Sequence, residues 1–275
     1  MKTVIRTLLV ASAFSLPSLS TADSSTTSPG KASDWHLSLG LATVTVPSYL
    51  GDNRHRSLVA PDITVSYKGR FFASTFDGVG YNLIRQGGWR AGPIMKYNAG
   101  RRQDGDESYF ISGDETDDLQ GLGDIDGTAE IGGFVEYSSE HLVSRVELRQ
   151  ATEGHDGTVG DVSVKWVGRK LLAGKSLFYG VGPELHFADS DYMNAFFGVD
   201  AQQASLSGLE AYQAGAGLLS YGIHAAVEVP LANRVSLVGF GGVDLLGEEA
   251  VDSSLVSTRG ADEQASLGVL LKVTF

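Results

Sequence analysis

Apolar and polar side chains alternate every second residue through most of this chain, and that rhythm leaves few folds open. Near the C-terminus, Ala265, Leu267, Val269, Leu271, Val273 and Phe275 form one series, while Gln264, Ser266, Gly268, Leu270, Lys272 and Thr274 form the other. Successive strand side chains point to opposite faces, so a period of two predicts a strand with one greasy face and one mostly polar face. Leu219, Tyr221, Ile223, Ala225, Val227 and Val229 alternate in the same way with Ser220, Gly222, His224, Ala226 and Glu228. In 142–149 the polar face reads Arg145, Glu147, Arg149, with Val143 as its exception. Residues 35–46, 59–68, 89–99, 128–137, 159–169, 177–187 and 235–245 agree. Most reach about the ten residues that a tilted strand needs to cross a bilayer.

The first 22 residues read as an export signal: Lys2 and Arg6 precede an apolar stretch from Leu8 to Leu16, and Ser20-Thr21-Ala22 supplies small residues for cleavage. That apolar stretch is about half the ~20 residues of a spanning helix, and no later segment replaces it. If the chain enters a membrane, it does so as strands. Residues 23–33, rich in Ser, Thr and Gly, read as a flexible periplasmic leader, and 34–275 as the barrel itself. A hydrophobic share of 42% is too low for a helical membrane protein but suits strands with one face in lipid and one in a polar lumen. By itself it fits a soluble β-sandwich equally well. With no cysteine there is no disulfide scaffold. Cleavage would remove Lys2 and Arg6 and no acid, taking the net charge from −12 to −14, a poor match for nucleic acid.

The connections set the strand count. Long polar connections fall at about 47–57, 100–126, 188–212 and 247–262, and short ones at 68–70, 86–88, 138–140, 172–174 and 230–233. Reading 70–85 as one strand puts long loops on both sides. Splitting it at Asp77-Gly78, a favoured hairpin turn, gives twelve strands and gathers the long loops on one face. The expectation is therefore all-β: a single up-and-down antiparallel transmembrane β-barrel of twelve strands, with ten as the alternative. Both termini then lie on the short-turn, periplasmic side, and Phe275, in phase with the apolar face, resembles the assembly signal of outer-membrane barrels.

Short stations outside the periodicity carry a family resemblance. They are Pro47-Ser48-Tyr49-Leu50-Gly51, Gly100-Arg101, 119–124, Gly154-His155, Phe196-Phe197-Gly198-Val199, Ser207-Gly208, 214–217 and Leu245-Leu246-Gly247. In their order and spacing the chain resembles the MltA-interacting protein family (MipA/OmpV) over nearly all of 23–275. It departs at Ser253-Ser254-Leu255-Val256, where a proline is expected after the first serine, which puts that loop's shape in question. The resemblance implies a cell outer-membrane protein, typified by a scaffold bringing a murein-degrading transglycosylase to a murein synthase. It carries over no catalytic residue.

Candidate sites follow from phase. Arg90, Lys96, Glu130, Glu136, Arg145, Glu147, Arg149, Asp161, Lys165, Glu184, Glu228 and Lys272, with Asp62 and Asp244, fall on the inward face. Such a lumen either conducts small solutes or fills itself with cross-strand ion pairs; filling is favoured, because buried charge is costly unless partnered. Loop 103–126 holds nine acids and no Lys or Arg. Its carboxylates could gather divalent cations, but a solvated, mobile external loop is favoured. Gly154-His155-Asp156-Gly157 reads first as a turn. No Gly-x-Ser-x-Gly elbow accompanies it, and none of the six histidines is spaced His-x-x-x-His. No catalytic, metal or cofactor site is therefore expected. Trp35, Tyr49, Tyr67, Tyr81, Trp89, Tyr97, Tyr137, Trp166 and Tyr179 sit where an interfacial aromatic girdle would form. Three roles are weighed: a noncatalytic scaffold for cell-wall enzymes in contact with outer-membrane lipid, a small-solute channel with a mixed-charge lumen, and a lipid-modifying enzyme, which is least favoured.

Overall fold

The computed structural model describes residues 34–104, 110–112, 116–172 and 174–275. The expected signal segment (1–22) and leader (23–33) lie outside the described residues, as do Asp106, Glu107, Asp114 and Glu115.

Fourteen strands form: β1 (Trp35–Pro47), β2 (His55–Tyr67), β3 (Phe71–Ser74), β4 (Gly78–Tyr81), β5 (Ile84–Gln86), β6 (Trp89–Asn98), β7 (Phe110–Ser112), β8 (Thr128–Ser138), β9 (Leu142–Ala151), β10 (Thr158–Leu172), β11 (Lys175–Ala188), β12 (Gly217–Ala232), β13 (Val235–Leu246) and β14 (Glu263–Thr274). Each wall strand pairs antiparallel with the next, and β1 pairs with both β2 and β14: Leu41 lies opposite Pro61 on one side and Leu271 on the other. That second pairing closes the sheet. β5 adds only a short ladder to β6 and β7 a short one to β2, so the wall has twelve staves: β1–β4, β6 and β8–β14. Closure pairs each of the twelve staves on both sides, the device by which a barrel avoids open sheet edges.

The split of 70–85 occurs at 75–77, with Gly78 at φ 82. A Cβ at Gly78 would sit 2.3 Å from Met95 O, so the turn needs glycine for room as well as for φ. Gly87-Gly88, both at positive φ, form a two-residue hairpin between Gln86 and Trp89 that suits the strand twist, while Lys68-Gly69, also both at positive φ, lie in the three-residue connection between Tyr67 and Phe71. Pro183, which has no N–H to donate, falls where the β10–β11 ladder lapses between the Ser163–Glu184 and Trp166–Val181 pairs.

The outer face carries an apolar band: Leu41 is 59% exposed, Leu148 62%, Ile223 63% and Leu267 66%. Trp35 stacks near Tyr67 and Trp89 near Tyr137 at the short-turn rim, with ring centroids 4.5 and 4.9 Å apart. Tyr49 is not part of this girdle. It lies 6% exposed among Leu119, Leu122, Val199, Leu209 and Leu255, because the chain after β1 turns over the barrel mouth.

The inner face is not uniformly polar. On the β1, β2 and β12–β14 side it presents Ala42, Val44, Val46, Leu58, Ala60, Ala226, Val238, Phe240 and Leu270, with Phe76 from the β3–β4 turn packed against them. β3 and β4 are only four residues long, so their turn lies low in the wall and contributes Phe76 to the interior. The lumen wall thus carries an apolar cluster beside its charges, with the Lys272–Glu228 pair on the same strands.

The long loops also fold. They contain α1 (Ser190–Phe197), α2 (Ala201–Ser207), α3 (Glu248–Val251) and α4 (Ser254–Arg259), elements too short to give a sustained helical period in sequence. Met193 and Phe197 are fully buried and Leu255 nearly so. The solvated loop expected at 103–126 is corrected over 116–126: Thr116, Leu119 and Leu122 are at most 3% exposed, because Arg54 pairs with Asp118 and the leucines enter the cap core.

Candidate functional site

Inside the barrel, strand alternation turns i and i+2 residues inward together, and the register then sets which charges meet. Arg90 of β6 lies opposite Glu136 of β8, and Glu136 opposite Arg145 of β9. The side chains follow that register. Glu136 binds Arg90 and Arg145; Glu147 binds Lys96 (2.8 Å), Arg145 and Arg149; Arg149 also binds Glu130 (3.0 Å) and Asp161 (2.6 Å). Lys165 meets Glu184 at 2.7 Å, and Lys272 meets Glu228 at 3.2 Å. All twelve charged candidates, Arg90, Lys96, Glu130, Glu136, Arg145, Glu147, Arg149, Asp161, Lys165, Glu184, Glu228 and Lys272, therefore stand in ion pairs. Arg145 additionally lies over the Phe134 ring of β8, 4.3 Å from its centroid. Asp62 is also buried, at 4% exposure. Phe275 N–H donates to Leu37 O, which seats the last residue against β1.

The histidines divide by environment. His155 is 3% exposed; its Nε2 lies 3.2 Å from Glu130 Oε1, its Nδ1 accepts from Gly157 N–H, and its ring meets Tyr192 edge-on. Both ring nitrogens are thus held in a turn between barrel and cap, a structural use. His186 Nδ1 lies 2.7 Å from Asp161 Oδ1, and His224 Nε2 lies 2.9 Å from Asp244 Oδ1. Glu184, His186 and His224 form the one group of three metal-ligating side chains among the described residues. A helical His-x-x-x-His spacing could not find it. The signal present in the sequence was the strand spacing Glu184-x-His186 with a third ligand on the next strand.

A cavity of about 240 Å³ lies between this ion network and the cap, lined by Lys96, Arg101, Glu130, Arg149, Asp161, His186 and His224 on its polar side. Arg101 is the cap's buried anchor: its guanidinium donates to Phe196 O at 2.6 Å, and burial pushes its pKa down to about 10. Tyr192 closes the same side, its phenol pushed well up by burial and by Glu130 and Asp161 beneath it. Burial, with Asp52 and Asp118 nearby, raises Tyr49 likewise. At the departure from the family pattern, Ser253 caps α4 and donates to Phe197 O at 2.5 Å, while Ser254 donates to Glu210 O at 2.6 Å. Ser254 occupies the first helical position, the place where proline is tolerated, so the loop keeps a helical start without it.

Comparison with known proteins gives a family and a set of barrels. The sequence profile of the MltA-interacting protein MipA family matches residues 39–275. No curated protein matches the sequence. Among solved structures, an outer membrane channel from Pseudomonas putida F1 is 10% identical with a TM-score of 0.43, covering 90% of this chain and 100% of that one. The NanC porin is 9% identical with a TM-score of 0.41, covering 86% and 98%. Neisserial surface protein A is 11% identical with a TM-score of 0.27, covering 88% and 98%. With the family's profile spanning nearly the whole barrel, the chain belongs to the MltA-interacting protein MipA family.

Proposed function

We propose that this protein is a noncatalytic barrel of the outer membrane that serves as an interaction scaffold, holding a murein-degrading transglycosylase near a murein synthase. The membrane assignment rests on the apolar outer band around a closed hydrogen-bonded wall, the arrangement a bilayer demands. The observation that carries the role is the crowded interior: ion pairs such as Lys96–Glu147 and Arg149–Glu147 occupy one side, an apolar cluster with Phe76 lies on another, and buried cap residues such as Met193 and Phe197 lie over the mouth, leaving a cavity of about 240 Å³ between them. A barrel crowded this way offers partners its surface rather than its bore. The transglycosylase partner accords with the family's description, and the short turns on the side of the chain termini are the surface facing the cell wall.

Two measurements test this. Capture with the purified barrel in detergent is expected to recover a murein transglycosylase, and planar-bilayer recordings are expected to stay silent. Recovery of no murein enzyme, together with steady conductance, would replace the scaffold by a small-solute channel with a mixed-charge lumen.

A further inference from the structure

Glu184 and His186 lie two residues apart on β11, so both side chains turn inward. β12 runs antiparallel beside them, with Gly222 opposite Glu184 and Ser220 opposite His186, which places His224 diagonally across from Glu184 on the same face. Glycines surround the gap: Gly182 lies opposite His224 on β11, and Gly242 lies opposite it on β13. The ligating atoms of Glu184, His186 and His224 all fall within 4.8 Å of one another, and His186 Nε2 stands 3.9 Å from Glu184 Oε2.

We propose that Glu184, His186 and His224 form a binding site for a divalent transition-metal cation, with zinc as the ion their chemistry fits. Two imidazoles and one carboxylate are a zinc donor set, with metal–ligand bonds of about 2.0–2.2 Å. Bonds of that length hold tetrahedral ligand atoms about 3.3–3.5 Å apart, so binding would draw the three side chains together by rotation from a spread of up to 4.8 Å. Calcium and magnesium prefer all-oxygen sites, so the imidazoles select against them.

Two independent features distinguish this group from a chance cluster. Each imidazole is oriented by a carboxylate from a flanking strand, His186 by Asp161 of β10 and His224 by Asp244 of β13. That is the outer shell which fixes ring orientation at metal sites. The side chains His186, His224, Asp161 and Asp244 also line the cavity beneath the cap, which gives a bound ion room for a water in its fourth position. Lys165 Nζ contacts Glu184 Oε1, while Oε2 is the oxygen nearer His186, so the carboxylate can hold lysine and metal at once.

Zinc titration of the purified protein in detergent, competed against a chromophoric chelator, tests the site. One zinc per chain is expected. His186→Ala and His224→Ala should each abolish competitive binding, Asp161→Asn should weaken it ~10–100-fold, and His36→Ala should leave it unchanged. Heat-modifiable mobility on gels reports that each variant has folded. If the histidine variants do not fold, zinc-edge X-ray absorption of the unaltered protein decides: two imidazole scatterers support the site. Absence of stoichiometric zinc, undiminished binding in a folded His186→Ala/His224→Ala variant, or an all-oxygen absorption spectrum would each overturn it.

Discussion

Glu147 shows how much one side chain can hold in this interior. It is 5% exposed and binds Lys96, Arg145 and Arg149, so its removal leaves two buried cations and the half-buried Arg145 short of a partner. Breaking a buried pair by deleting one side costs ~3–5 kcal/mol. Glu147→Ala is therefore expected to lower unfolding stability by that order in a urea titration of the vesicle-embedded protein. Asp189 acts at the rim. It caps α1 by accepting from Tyr192 N–H and also accepts from Thr158 N–H; partial burial opposes the charge, but these bonds prevail and hold its carboxyl below the usual range. A depressed acid contributes stability above its unfolded pKa of about 3.9, and that contribution fades as pH falls through the folded value. Asp189→Ala should thus cost ~0.5–2 kcal/mol at neutral pH and progressively less below pH ~4. The charged positions share one strand phase, which is why the sequence groups them, and they stand in ion pairs with one another. The place of Tyr49 was not legible, since its burial depends on Leu119 and Leu255, remote in sequence.

At the scale of elements, the long strands were plain to read. β6, β8, β9 and β11–β14 begin and end within a few residues of the alternating segments, because a half-lipid, half-lumen strand must alternate through its whole length. Val146, 52% exposed near the middle of β9, lies on the apolar side. Val146→Arg is expected to destabilise the folded barrel by ~2–4 kcal/mol in lipid vesicles, while leaving the soluble unfolded chain unaffected. Shorter elements escaped the pattern. β3 and β4 show only as a turn signal, and β5 and β7, at three residues each, are below any periodicity. The helices α1, α3 and α4 bury residues in the cap, while α2 has none buried and is held by the Asp200 capping box.

For the molecule as a whole, the central feature is a barrel whose own loops close it. Ile125, Tyr192, Phe196, Phe197 and Val256 of the cap pack onto Val159, Ala188, Leu219 and Leu246 at the strand ends, so cap and rim share one core. Replacing 248–260 by a short glycine-rich turn removes α3 and α4 from that core. This variant is expected to admit small ions in planar-bilayer recordings where the intact protein stays silent, and equal silence in both would place the barrier lower, at the ion pairs and Phe76. The sequence by itself determined the closed all-β wall and its twelve staves, because alternation and loop length are local properties written along one chain. Only the tertiary structure decided that part of the lumen wall is an apolar cluster, that the acidic loop packs down over 116–126, and that Glu184 and His186 meet His224. Those outcomes depend on which strand lies beside which and at what register, a relation between distant segments that no window of sequence contains.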